Sequence, residues 1–165
     1  MLISFAFGKI EHILLWGLVA TTAMTIILEG SQGLGLSRLS LPFLVGTLFT
    51  GNRWRASVVG FVIYFIGGWL FAFLYFLIFM SLGKANWWIG AITGLIHGLF
   101  LLVAVLPLLP YMHPRLATEY DGPTSIRRIE PPGFLGLNYG YRTPFTTLLG
   151  QVFYGMILGA FYPIG

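Results

Sequence analysis

The chain carries three histidines, five Asp or Glu and no cysteine in 165 residues, so any chemistry rests on few groups. His97 is the sharpest of them. It lies in a run without charge from Ile89 to Tyr111, where an ionisable side chain is costly and marks either a functional site or a helix-to-helix bond. Hydroxyl and amide groups that could reach it are Thr21, Thr22 and Thr25 in the first apolar run and Gln151 and Tyr154 in the last. Three roles are open to it: a hydrogen bond that locks a bundle, a polar waypoint for a solute or proton, or a cofactor ligand. A haem held by two histidines needs a second one at the same depth. His12 and His113 flank opposite ends of the apolar runs, so one chain cannot supply that pair.

His113, Glu119 and Asp121, with Glu130 beyond them, are hard and borderline metal ligands, and close placement could make a site. Their spacing matches no zinc pattern, and a cap with internal Arg-to-carboxylate pairs is the expectation. Arg38, Arg53, Arg55, Arg127 and Arg128 are candidate contacts for anionic head groups or phosphate, through paired N–H donors. Glu29 ends the first apolar run beside Gly30. A coupling carboxylate in a proton-driven transporter is wanted near the midplane, and none of the acids lies there. The lack of cysteine excludes disulfides, thiol redox chemistry and thiolate metal ligation. No catalytic set and no cofactor is expected, although a bound phospholipid or quinone fits the composition. No basic surface interleaved with aromatics suggests nucleic acid.

The elements that must position these groups are membrane spans. With 57% hydrophobic and 8% charged residues and a mean hydropathy of +0.86, the chain departs from the soluble norm of roughly 45–50% apolar and 25% charged. The expected fold is an all-α integral membrane protein, one membrane domain over 1–165, with four spans at about 11–29, 56–80, 87–109 and 146–162. Ser40, Pro42 and the adjoining LVGTLF predict a short interfacial helix at about 40–50. The six-residue turn SLGKAN makes spans two and three antiparallel neighbours. Pro107 should bend the chain near Val103. Gly90, Gly94 and Gly98 in span three, and Gly155 and Gly159 in span four, recur every four residues and form helix-packing faces. Spacing leaves open whether those faces meet each other or a second subunit.

Residues 110–145 form the one extended polar segment, and its tyrosines and Phe134 suggest an ordered cap. Seven arginines fall in the 30–55 and 110–145 segments, against Lys9 and Lys84 on the other side. The positive-inside rule then makes both segments cytoplasmic and both termini external. The stretches SRLSLPFLVGTLFT, GLIHGLFLLVAVLPLLPYMHPR and EPPGFLGLNYG resemble a group of small bacterial multi-pass membrane proteins of unknown function. That resemblance implies a bacterial inner membrane and no activity. The expected role is a noncatalytic subunit that packs against membrane-protein partners or itself, in contact with membrane lipids. The alternatives are a small-solute or proton channel using His97, and a lipid- or quinone-binding protein at the cytoplasmic interface.

Overall fold

The computed structural model describes residues 9–118 and 122–162; Glu119 and Asp121 therefore lie outside the described residues. The chain is an all-α protein with four helices long and apolar enough to cross a membrane. In order they are α1 (Ile10–Gly33), α3 (Arg53–Leu82), the composite span Trp87–Met112 and α6 (Thr143–Phe161). The short α2 (Leu41–Thr47) precedes α3, and the composite span consists of α4 (Trp87–Phe100), a π-helical turn over Leu101–Val105 and α5 (Leu106–Met112).

Local chemistry sets the boundaries. Asn52 and Asn86 cap α3 and α4, their side-chain oxygens accepting from Arg55 N at 3.0 Å and Ile89 N at 2.9 Å. Gly83, at φ 64°, ends α3 in the left-handed conformation that glycine adopts without steric cost. Pro107 cannot donate to the helix, and the chain answers with the wide π turn just before it, where Leu106 N–H reaches back to Leu101 O. This π turn lies where the bend was expected, around Val103, and the helix runs on through it to Met112.

Span order in space differs from span order in sequence. α6 packs most closely on α4 and next on α1, while α3 packs on α2 and α1. Spans two and three are antiparallel, but the expectation that they pack as neighbours is corrected: α3 and α4 have almost no close backbone approach. The reason is the glycine pattern. Gly90 and Gly94 lie against the backbones of Gly155 and Gln151, so α4 is drawn onto α6 and away from α3. α3 is drawn the other way, since Gly68 lies against Thr21 of α1 and Gly17 of α1 against Ala72. The result is the series α3–α1–α6–α4, whose two end helices meet through side chains such as His97 and Tyr75.

Aromatics that donate to backbone carbonyls tie α3 to the end of α6 and to α1. Tyr154 OH bonds Gly68 O at 2.7 Å, Tyr162 OH bonds Ala72 O at 2.9 Å, and Trp69 Nε1 bonds Leu14 O at 2.9 Å. Ala72, Phe76 and Phe79 are fully buried beside Tyr154 and Leu158. Elsewhere α3 is a peripheral helix: Val62, Ile66 and Leu70 are more than half exposed, as lipid-facing residues are.

The short helix expected at about 40–50 is α2. α2 is tucked in beside the first half of α3, with Gly46 against the carbonyl of Ala56 and Gly60 against that of Pro42. Its Pro42, Leu44, Gly46 and Thr47 are buried. It is thus a folded-back hairpin partner of α3, capped by Ser40, whose Oγ accepts from Phe43 N at 3.3 Å.

Candidate functional site

The 110–145 segment is ordered where it is described. Ala117 N donates to Ile129 O at 2.9 Å and Ile129 N to Arg115 O at 3.1 Å, which holds 115–117 beside 129. Leu116, Tyr139 and Leu39 pack with Leu44, Leu102 and Leu106 in a second core at this end of the bundle. Arg38 N donates to Tyr139 O at 2.7 Å, and Ser37 Oγ and Thr143 Oγ1 are 2.8 Å apart, so the 34–40 loop is sewn to the start of α6.

His113 sits inside this assembly, 1% exposed. Its Nδ1 accepts from Arg115 N at 3.1 Å and Leu116 N at 3.2 Å. Two donors on Nδ1 place the proton on Nε2, which then donates to Leu44 O at 3.1 Å, with Thr47 Oγ1 at 3.2 Å. Burial holds the imidazole below its usual pKa; the Leu44 carbonyl pulls the other way, and the nearby Arg115 guanidinium adds to the depression. His113 is a neutral cross-brace between α2 and the cap. Among the described residues no three His, Asp or Glu side chains are placed to hold a metal.

The arginines are distributed unevenly around a cleft of about 760 Å³ between the ends of α1 and α2, the start of α3 and the cap. Arg38, Arg53, Arg115 and Arg128 line it, while Arg55 and Arg127 do not. Arg115 Nη1 donates to Thr47 O at 2.7 Å and Leu48 O at 3.2 Å, where α2 leaves its last carbonyls unpaired. Arg128 Nε donates to Ser125 O at 2.8 Å, and Arg38 pairs with Glu130 at 3.2 Å on the exposed rim. Each guanidinium has five N–H donors, so each keeps donors free for a ligand. Arg53, at the first turn of α3, makes no side-chain bond among the described residues. Opposing them among the described lining residues is one carboxylate, Glu29, whose Oε1 accepts from Ser40 Oγ at 2.9 Å. Gln32 also lines the cleft, and its buried Nε2 has no acceptor.

His97 does not meet the partners expected for it. Thr21, Thr22 and Thr25 spend their hydroxyls on carbonyls of their own helix, Gly17 O, Leu18 O and Thr21 O, at 2.6–2.8 Å. The Nδ1 of His97 instead lies 3.2 Å from Tyr75 OH of α3, and its ring packs on Phe71 at 4.4 Å between centroids. His97 therefore bridges the gap between α3 and α4. Gln151 is 4% exposed and its Oε1 has no hydrogen-bond partner.

No protein family, curated protein or solved structure matches this chain. A functional reading therefore rests on the cleft and its residues.

Proposed function

We propose that this chain is a noncatalytic membrane protein that holds the anionic head group of a membrane lipid in the arginine-lined cleft. The observation that supports it is the convergence of Arg38, Arg53, Arg115 and Arg128, from three separate segments, on one cleft at the N-terminal end of α3. Guanidinium groups suit phosphate because their forked donors match its oxygens in pairs. Trp54, 75% exposed beside Arg53, is the residue type that settles at the head-group level. Glu29 is held by Ser40 and leaves the lining strongly cationic.

Of the three roles expected from the sequence, this is the interfacial lipid-binding one, narrowed to a charge class. The glycine faces that motivated the subunit reading are occupied by one another, Gly90 and Gly94 against Gly155 and Gln151, so a partner protein would have to dock elsewhere.

The test is a titration of the detergent-solubilised protein with short-chain phosphatidylglycerol and phosphatidylcholine. Each arginine near a lipid surface contributes about 1 kcal/mol, or roughly fivefold in affinity. Arg53→Gln and Arg128→Gln each weaken phosphatidylglycerol binding by about that factor, whereas Arg55→Gln, outside the cleft, leaves it nearly unchanged. Equal effects at all three positions would reduce the arginines to a diffuse surface charge and defeat the reading.

A further inference from the structure

On the opposite side of α2 from the arginine cleft lies a second cavity, of about 310 Å³, between α2, α3 and α4. Ser40, Phe43 and Thr47 line the cleft, while Leu41 and Val45 line this cavity. The two spaces are distinct, and the properties of the second do not depend on the head-group reading of the first.

The cavity is the gap that opens where α3 and α4 part. Its volume is at the lower end of the roughly 300–1,000 Å³ typical of small-molecule sites. Among the described residues no Asp, Glu, Lys or Arg lines it. Phe71 and Phe100 stand in its wall and are 40% and 60% exposed on the surface that faces lipid, so the opening is sideways, toward the bilayer. Among the polar groups of its lining, Tyr154 donates its hydroxyl to Gly68 O and His97 Nδ1 is paired with Tyr75 OH. The Tyr64 hydroxyl lies within reach of Thr25, and the Oε1 of the buried Gln151 is unpartnered. Tyr64 can donate to any oxygen, but Gln151 Oε1 can only accept. A buried acceptor left unpaired is costly, and more so where no bulk water reaches it. A further feature keeps the space open. Gly67 lines the cavity, and a Cβ placed on it would meet nothing within 4 Å.

We propose that this cavity binds a neutral, largely apolar molecule carrying a hydroxyl group, taken up sideways from the bilayer, with Gln151 Oε1 accepting the hydroxyl proton. Neutrality follows from the uncharged lining. The hydroxyl follows from the orphan acceptor, which a ketone, an ether or a bare acyl chain cannot satisfy, even though a ketone or ether oxygen could accept from Tyr64. The apolar body follows from the leucine, valine, isoleucine and phenylalanine walls.

The probes are 4-octylphenol and its methyl ether 4-octylanisole, which share the ring and chain but differ in the donor. Binding to the detergent-solubilised full chain is read from the rise in melting temperature with probe concentration. The expected result is about tenfold tighter binding of the phenol than of the ether, the size of one hydrogen bond to an otherwise unpaired buried group. Gln151→Met keeps an unbranched side chain against Gly98, where a branched one would crowd, and should erase that preference. Gly67→Leu should abolish binding of both probes while the protein stays helical. Equal binding of phenol and ether by the natural chain overturns the proposal, since a water molecule on Gln151 or nonspecific partition into the micelle would give that result. A preference that survives Gln151→Met overturns it as well, and that variant decides the matter even if Gly67→Leu fails to fold.

Discussion

Protonating His113 breaks two backbone contacts at once, because its Nδ1 accepts from both Arg115 N and Leu116 N and cannot do so with a proton on it. The depressed pKa of the folded state sets the sign. Below an unfolded value near 6.5 the unfolded chain binds more protons than the folded one. The contribution of His113 is therefore complete above about pH 6.5 and is lost as pH falls toward the lower folded value. The melting temperature should drop on acidification through that window, and His113→Gln should flatten the drop; an equally steep drop in the variant would place the acid-sensitive group elsewhere. At the other polar site, Tyr75→Phe and His97→Leu should show a coupling of about 0.6 kcal/mol in a double-mutant cycle of unfolding, the usual size for a bond between membrane helices. A coupling indistinguishable from zero would mean that the 3.2 Å contact contributes nothing to stability. The depth and isolation of His97 are legible in the sequence. Its partner is not, because Tyr75 lies in the phenylalanine-rich second span and reads as one more lipid-facing aromatic. Threonines are the natural partners by type, but a helical threonine is readily satisfied by the carbonyl four residues back.

Among the elements, close approach at glycine decides which helices meet. A side chain at Gly94 would strike the backbone carbonyl of Gln151, so Gly94→Leu should separate α4 from α6 and lower stability by more than about 3 kcal/mol, beyond the roughly 1–3 typical of overpacked side chains that can shift. Gly67→Ala, in the same fold but facing open space, should be neutral or stabilise by about 0.5–1 kcal/mol through helix propensity. Chemical unfolding of the two variants side by side is the check, and similar losses in both would show that glycine serves here for something other than close packing. The glycine rows at 90, 94, 98 and 155, 159 are visible in sequence because each repeats at one helical turn. The contact of Gly46 with Gly60 is not, since each is a lone glycine, and only the hairpin between α2 and α3 brings them together. For the same reason span lengths can be read to within a few residues while span neighbours cannot: a short loop such as SLGKAN fixes antiparallel direction, but packing faces fix distance.

At the scale of the whole molecule, the charge asymmetry has a shape, with four of the seven arginines gathered around one cleft at one end of the bundle and Lys84 at the other. We expect the arginine end to be cytoplasmic. Because the chain has no cysteine, single cysteines can report this directly. In intact bacterial cells a membrane-impermeant maleimide should label Lys84→Cys and spare Ile126→Cys, which is 70% exposed at the arginine end; the reverse pattern would invert the molecule. The gathering itself is not readable from sequence, because Arg38, Arg53, Arg115 and Arg128 are spread along most of the chain and only the docked cap joins them. The most direct measurement is native mass spectrometry of the protein released from bilayers of equal phosphatidylglycerol and phosphatidylcholine, compared with the Arg53→Gln, Arg128→Gln double variant. Head-group binding in the cleft predicts one retained phosphatidylglycerol on the natural chain and none on the variant. Equal retention of both lipids by the natural chain would contradict it.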